Sequence, residues 1–342
     1  MSRHSPDERP SRVVIEGVKP EVDGGRFPIK RVIGDAVEVG ADIFADGHDR
    51  LAGVVRYRVA DAPLDAGALG QDRDWHEVPV EHVRNDRWSA TFHVRALGRY
   101  EYTLQAWVDR FASWRDEVGK KFAASQPVHA ELLEGAGLVR EAAAHAARTG
   151  RADGGVLVKA PPGAPRGPGE SSDDARRWLL HQADLLCDVQ LPEAERVALA
   201  QSPRLAAEMA EHAPRLDATA YDRILQVQVE RERARFGAWY EMFPRSAGSD
   251  PSRSATFDEA ARRLPAGAAL GFDVVYLPPV HPIGRSFRKG RNNALTAGPA
   301  DPGSPWAIGA DEGGHTAVDP SLGGLAAFER FVRTARNLGL EI

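Results

Sequence analysis

Apolar and polar positions follow three different periods along this chain. From Arg12 to about Phe122 apolar residues alternate with polar ones, the period of strands that bury one face. Val37, Val39, Ala41 and Ile43 share one side of a run that ends in the turn pair Asp46-Gly47. The alternation returns in Trp88, Ala90, Phe92 and Val94, and again in Tyr100, Tyr102, Leu104, Ala106 and Val108. With Leu97-Gly98 as the hinge, these two runs are predicted to be antiparallel neighbours. Short strands with turn signals and no helical period between them predict an immunoglobulin-like β-sandwich over residues 1–125. Trp75, Trp88, Trp107 and Trp114 fall within it, and the pattern leaves them as core or subunit-surface residues or as stacking faces for sugar rings.

Over residues 126–218 the period becomes helical. Trp178, Leu179, Leu185, Leu186 and Val189 form one stripe of an amphipathic helix, with Gln182 on the same face and Ser171, Ser172 or Asp173 as its cap. Pro192 and Pro203 suit first helical turns, so Glu193–Gln201 and Arg204–His212 read as short helices of a small bundle. Residues 160–169, rich in proline and glycine, read as a mobile loop. Alternation resumes at Ile224–Val229. This segment, within a connection over residues 219–236, is economically explained as a strand returning to the sandwich, with the helices as an insertion.

From residue 237 to 342 the grammar is strand, helix, strand, helix. Ala238–Phe243 and Phe272–Leu277 read as apolar strands, and Thr256-Phe-Asp-Glu259 is a capping box opening a helix through Leu264. Leu325, Phe328, Phe331, Val332, Ala335 and Leu338 mark another amphipathic helix, and Leu340–Ile342 opens a further strand. Such alternation requires parallel strands with crossover helices, an α/β sheet or barrel. A (β/α)8 barrel takes about 250 residues, so residues 237–342 read as the first part of one, truncated, and the chain as the front of a longer enzyme.

Composition narrows the function classes. The 342 residues carry 44 Lys plus Arg against 49 Asp plus Glu, a formal charge of −5, and 42% hydrophobic residues. That is an ordinary globular composition, which excludes disorder of the whole and offers no global field for a polyanion, so nucleic acid is not an expected partner. The single cysteine, Cys187, makes neither an internal disulfide nor a zinc site by itself. The first eleven residues hold no apolar stretch, and no run of about 18 apolar residues follows. A cytoplasmic protein is expected, with no membrane partner, no cofactor and no metal.

The connection over residues 278–323 is the unusual feature, because strand-to-helix loops usually take about 2 to 6 residues. It starts at the carboxyl end of a strand, where barrels and open α/β sheets place their sites. Arg285, Arg288, Lys289 and Arg291 put four cations within seven residues, followed by Asn292 and Asn293. Fixed positive charge beside neutral directional donors is what a phosphate needs, although a solvated basic loop has the same spacing.

The segments Gly237-Ala-Trp-Tyr-Glu-Met-Phe-Pro-Arg-Ser246, Gly271–Gly284 with its Leu-Pro-Pro-Val-His-Pro-Ile-Gly ending, Arg288-Lys-Gly-Arg-Asn-Asn293, Pro305-Trp-Ala-Ile-Gly309, Glu312-Gly-Gly-His315 and Asp319-Pro-Ser-Leu-Gly323 together resemble the GlgE-type maltosyltransferases of the α-amylase superfamily, glycoside hydrolase family 13. The resemblance is strong from about Glu230 to Ile342 and weaker before it. It implies retaining transfer of maltosyl units from α-maltose 1-phosphate to the non-reducing end of an α-1,4-glucan, with release of phosphate. It also implies a homodimer through the sandwich and the helical insertion.

Carried over by position, Lys289 matches a family lysine that binds the donor. Asn292 and Asn293 are expected either to meet sugar hydroxyls or to close the loop on itself. His281 and His315 are expected beside the cleft, touching sugar or packing the loop. Asp319 is read as a cap before Leu322-Gly323, and Tyr240 and Glu241 as buried on the first parallel strand. Retaining transfer uses two carboxylates about 5 to 5.5 Å apart, which the family draws from later strands, so no catalytic residue is assigned within this chain and the fragment is expected to be inactive. Two other readings remain: a related hydrolase or trehalose-processing enzyme, and a non-catalytic dimerisation and glucan-binding module.

Overall fold

The computed structural model describes residues 12–61, 74–149 and 172–342. The chain divides into two units, Met1–Arg231 and Glu232–Ile342. The proline- and glycine-rich stretch 160–169 and the cap position Ser171 lie outside the described residues.

Among the described residues of the first unit the strands are β1 (Val13–Lys19), β2 (Ile29–Val32), β3 (Ala36–Ala45), β4 (Leu51–Asp61), β5 (His76–Pro79), β6 (Glu81–Arg84), β7 (Arg87–His93), β8 (Gly98–Val108), β9 (Thr219–Ala220) and β10 (Leu225–Glu230). One sheet has the order β1-β3-β7-β6; the other runs β2-β10-β8-β4-β5, with β9 also on β8. Alternation decides which side of each strand is apolar, and those sides meet in one core. Val37, Val39, Ala41 and Ile43 of β3 are buried with Tyr100, Tyr102, Leu104 and Ala106 of β8. Phe92 of β7 joins the sheets, stacked on Tyr57 with ring centroids 4.5 Å apart and tilted against Tyr102 at 5.8 Å.

The expected pairing of residues 88–94 with 100–108 is not formed: β7 pairs with β3 and β6, whereas β8 pairs with β4, β9 and β10. Between β7 and β8 the chain crosses the core instead of doubling back. The Tyr100 hydroxyl holds the crossing by accepting from the amides of Arg95 at 3.1 Å and Ala96 at 2.9 Å. Trp88 borders the core and its Nε1 donates to the Ile43 carbonyl at 3.0 Å, while Trp107 lies under the Arg215 guanidinium, 4.4 Å from ring centroid to Cζ. Trp75 is covered by Arg58 at 4.6 Å and Arg56 at 5.3 Å.

Alternation also stops earlier than expected. It ends at Val108, and helix α1 spans Arg110–Ala123. Asp109 caps it, its Oδ1 accepting from the Ala112 amide at 2.8 Å, and Phe111, Trp114 and Val118 bury the i, i+3, i+7 stripe of a helix. Helices α2 (His129–Thr149), α3 (Ser172–Cys187), α4 (Glu193–Ala200) and α5 (Pro203–His212) complete the bundle. Its core joins Trp114, Val118, Leu132, Val139, Leu179, Leu186 and Leu205. Leu179, Gln182 and Leu186 lie on the buried face of α3, but Val189 falls past the end of that helix and is 65% exposed. The chain then returns to the sheet as β10, antiparallel to β8 and parallel to β2.

The second unit opens with β11 (Trp239–Glu241), parallel to β12 (Val274–Tyr276) in the register Trp239↔Val274. Glu341 bridges Val274, again in parallel. Between the strands lie α6 (Phe257–Ala260) and α7 (Leu264–Ala269), and α8 spans Gly324–Asn337. The capping box forms: Thr256 Oγ1 accepts from the Glu259 amide at 3.3 Å and Glu259 Oε2 accepts from the Thr256 amide at 2.9 Å. The single helix expected from it does not. A 3₁₀ turn at Ala261–Arg263 separates α6 from α7, because Pro265 has no N–H to continue the ladder. Phe257, Leu264, Val275, Phe331 and Leu340 form the core over one face of these strands.

Gly135 of α2 lies beneath the buried Trp114, whose Nε1 donates to the Glu131 carbonyl at 2.6 Å; a Cβ at Gly135 would sit 1.9 Å from the ring. Gly135→Ala is therefore expected to destabilise the protein by about 1–3 kcal/mol through overpacking, read as a lower midpoint in urea unfolding. Gly137→Ala, with nothing within 4 Å of the new methyl, is expected to stabilise by up to about 1 kcal/mol, the helix propensity difference.

Candidate functional site

The long connection from β12 to α8 is anchored from below by Arg245, which sits in the 3₁₀ turn Pro244–Ser246 just after β11. Its Nη1 donates to the Pro279 carbonyl at 2.8 Å, and its Nη2 to the His281 carbonyl and to Asp319 Oδ2, each at 3.0 Å. The side chain is only 9% exposed, and its Nε is buried without a hydrogen-bond partner. The Asp319 amide donates to the Val280 carbonyl at 2.8 Å, so the start and the end of the connection meet at this ion pair. Asp319 Oδ1 also accepts from the Ser321 amide at 2.8 Å and caps the turn Pro320–Leu322. Burial would push the Asp319 pKa up, but the bonds from Ser321 and Arg245 outweigh it and hold the carboxyl below the usual range.

Above this base the cations have distinct partners. Arg285 pairs with Glu312 and, at 3.5 Å, with Asp311. Arg288 collects three carbonyls, donating to Ile283 at 2.8 Å, Gly284 at 3.2 Å and Asp301 at 3.3 Å. Arg291 Nε lies 3.6 Å from Asp301 Oδ1. Lys289 is half-buried and makes no hydrogen bond or ion pair among the described residues. Three of the four charges hold the loop's own shape, and the fourth has no internal partner.

Asn292 and Asn293 are exposed and adopt the left-handed conformation, with φ of 52° and 64°, which asparagine tolerates better than most residues. Backbone bonds close the loop here, Gly290 N to Ala294 O at 2.9 Å and Ala294 N to Arg291 O at 3.1 Å. Gly284 N donates to Ala307 O at 2.9 Å, and a Cβ at Gly284 would lie 1.8 Å from the Ile308 carbonyl oxygen; only glycine permits that approach. His281 is buried, its Nδ1 3.0 Å from the Pro282 carbonyl, and its ring stacks on the exposed His315 with centroids 5.2 Å apart. Donation from Nδ1 leaves Nε2 as an acceptor in the neutral ring.

The structure thus brings His281 and His315 together and places Lys289, Asn292 and Asn293 on the loop Arg288 braces. Tyr240 is half-buried against Phe272, at 5.1 Å between centroids, but Glu241 is exposed, contrary to the burial expected for it, because it shares the open face of β11 with Trp239. Arg245 was not legible as a site residue. Its partners are two carbonyls and a carboxylate 34 to 74 positions away, and the only local signal is an arginine just past the carboxyl end of a parallel strand. Among the described residues no group of three or more His, Cys, Asp or Glu could hold a metal ion, and no helix is long and apolar enough to cross a membrane.

Arg245→Met removes three bonds and leaves the Asp319 carboxylate unpaired. It is expected to destabilise the second unit by about 3 kcal/mol and to speed exchange of the Asp319 amide, which donates to the Val280 carbonyl. Because the folded carboxyl of Asp319 titrates below its unfolded value of about 4, its contribution is full above that value and is lost as pH falls through the depressed folded pKa. Asp319→Asn should therefore flatten the acid limb of a stability-against-pH curve. Gly284→Ala should separate the two backbone segments, measured as faster exchange of its own amide.

The family signature described as "Alpha-1,4-glucan:maltose-1-phosphate maltosyltransferase, domain N/S" matches residues 11–231. Proteins named Alpha-1,4-glucan:maltose-1-phosphate maltosyltransferase align with nearly the whole chain. The one from Myxococcus xanthus is 46% identical over 98% of this chain and 46% of its own length. That from Chlorobaculum tepidum is 42% identical over 97% of this chain and 44% of its own length. One from Cereibacter sphaeroides is 44% identical over 97% of this chain and 50% of its own. The chain spans about half the length of these relatives. Matched over most of its first unit by the family signature and along both units by these relatives, the chain belongs to the α-1,4-glucan:maltose-1-phosphate maltosyltransferase family.

Proposed function

We propose that this chain is the front part of a retaining maltosyltransferase that moves maltosyl units from α-maltose 1-phosphate to the non-reducing end of α-1,4-glucans and releases phosphate, and that the connection 278–323 receives the donor. The observation that carries this reading is Lys289. In a loop whose three arginines are engaged internally, a half-buried ammonium without a partner is what an incoming phosphate oxyanion would complete. The exposed amides of Asn292 and Asn293 are offered to sugar hydroxyls, and the stacked pair His281 and His315 forms the adjoining wall.

In this reading the two-sheet unit is an immunoglobulin-like sandwich, expected over residues 1–125 but with its strands ending at Val108, interrupted by a bundle that opens with α1 at Arg110 rather than at 126 and rejoined through 219–236, and the parallel strands begin a (β/α)8 barrel at residue 237. The pairing of β10 with β8 supports the interruption, and the parallel register of β11, β12 and Glu341 supports the barrel. The homodimer through the sandwich and insertion follows from the family resemblance. The cytoplasmic location is supported by the single cysteine, Cys187. The nucleophile and the acid/base, a pair of carboxylates about 5 to 5.5 Å apart in retaining enzymes, are supplied from outside these 342 residues.

Calorimetric titration tests the donor assignment. The chain is expected to bind α-maltose 1-phosphate more tightly than maltose, and Lys289→Ala to abolish the difference, a loss of about tenfold or more for one charge-assisted hydrogen bond. Undiminished discrimination in Lys289→Ala would overturn it. Incubating the chain with α-maltose 1-phosphate and glycogen should release no phosphate; release would refute the external origin of the carboxylates.

A further inference from the structure

The outer face of the sheet β1-β3-β7-β6 carries a cavity of about 400 Å³, within the range of small-molecule sites. Strand register builds it. Glu16 of β1 stands opposite Asp42 of β3, Asp42 opposite Arg87 of β7, and Arg87 opposite Arg84 of β6, so four strands each give one charged residue to a single row. Ala41 and Ile43 are turned into the core, which leaves Asp42 and Phe44 on the outer side, and Phe44 forms one wall of the cavity.

The middle of the row is fixed. Arg87 Nη1 donates to Asp42 Oδ1 at 3.2 Å and to the Gly17 carbonyl at 3.1 Å. A Cβ at Gly40 would lie 2.6 Å from Arg87 Nη2, so the guanidinium lies flat against β3 where that strand has no side chain. The Ile43 amide donates to the Asp86 carbonyl at 2.8 Å, which ties the β6–β7 turn to β3. The ends of the row are open. Glu16 and Arg84 are exposed, and neither makes a hydrogen bond or ion pair among the described residues. Asn85 and Asp86, in the turn, add an amide and a third carboxylate to the lining.

Three carboxylates and two guanidinium groups thus face one cavity, and neither sign prevails. An anion meets Glu16 and Asp86, a cation meets Arg84, and the carboxylates do not form a group that could hold a metal ion. Such a lining suits a neutral ligand whose groups both donate and accept, because carboxylates only accept and guanidinium groups only donate. The hydroxyls around a sugar ring do both, and its C–H face is apolar, as the Phe44 wall is. The locked centre of the row lowers the ordering cost of binding.

We infer that this cavity binds a neutral glucosyl segment of an α-1,4-glucan, with Glu16 and Arg84 clasping its hydroxyls and Phe44 against the C–H face of a ring. The identity of the sugar rests on the maltosyltransferase reading. The site itself lies wholly within the first unit and uses no residue of the connection 278–323.

Nuclear magnetic resonance titration of the whole chain with maltoheptaose tests it, because the amide shifts of Asn85 and Arg87 read this cavity locally. Maltoheptaose is expected to move them saturably. The double substitution Glu16→Ala and Arg84→Ala, at two exposed positions without internal partners, is expected to weaken the affinity read from those shifts by at least about tenfold, the worth of one charge-assisted hydrogen bond, and Phe44→Ala is expected to weaken it as well. Static amides in the unsubstituted chain, a smaller loss in the double variant or unchanged affinity in Phe44→Ala would overturn the inference. Movement with free glutamate or lysine but not with maltoheptaose would mark a zwitterion site and overturn it too. Static amides here beside tighter binding of α-maltose 1-phosphate than of maltose would sink this site and leave the donor reading standing; saturable movement without that preference would uphold the site and sink the donor reading.

Discussion

The Arg245–Asp319 ion pair is the constraint on which the second unit's long connection depends. A loop from residue 278 to 323 has too few apolar side chains to define its own shape, and its ends would drift without a fixed base. Arg245 supplies that base because one planar guanidinium satisfies three acceptors at once, two backbone carbonyls and a carboxylate, in a nearly dry setting. A buried charge pair gains little over a hydrophobic substitute in stability alone. Here its geometry determines where the segment Pro279–His281 enters the loop and where Asp319 leaves it.

Above that base, similar charges do different work. Arg288 acts as a local strut by gathering carbonyls that would otherwise face away from any donor, and Arg285 and Arg291 lean on Glu312, Asp311 and Asp301. Lysine, with its compact ammonium, is poorly suited to bridging several carbonyls in a plane and well suited to receiving one anion. The glycines 284 and 290 permit backbone segments to touch where a Cβ would collide with the Ile308 and Thr296 carbonyls. The loop is thus held by arginine side chains together with close main-chain contacts, which leaves Asn292, Asn293 and Trp306 exposed and Lys289 half-buried.

The first unit shows a different economy. Its two sheets are held by side chains alternating inward, and the helices between β8 and β9 build a second core around Trp114, Leu132 and Leu179. The sheet's outer face is polar but not bare: Arg56, Arg58 and Arg215 lie over Trp75 and Trp107 and pair with Glu77 and Glu101. Those guanidinium groups cover indole surface that the alternation alone could not assign to the core or to a ligand.

Periodicity, caps and breakers by themselves determined which segments became strands and which became helices: the inward side of β3, the capping box at Thr256, the proline-started helix at Pro203, and the loop rich in cations. The Phe111, Trp114, Val118 stripe and the break before Pro265 are local signals of the same kind. Only the tertiary structure decided that β7 and β8 belong to different sheets, that Glu241 is open to solvent, and which of four neighbouring cations has no partner among the described residues. The reason is physical. A period records whether one side chain is buried relative to its neighbours, whereas strand pairing and charge neutralisation depend on carbonyls and carboxylates tens of residues away, whose positions no local pattern encodes.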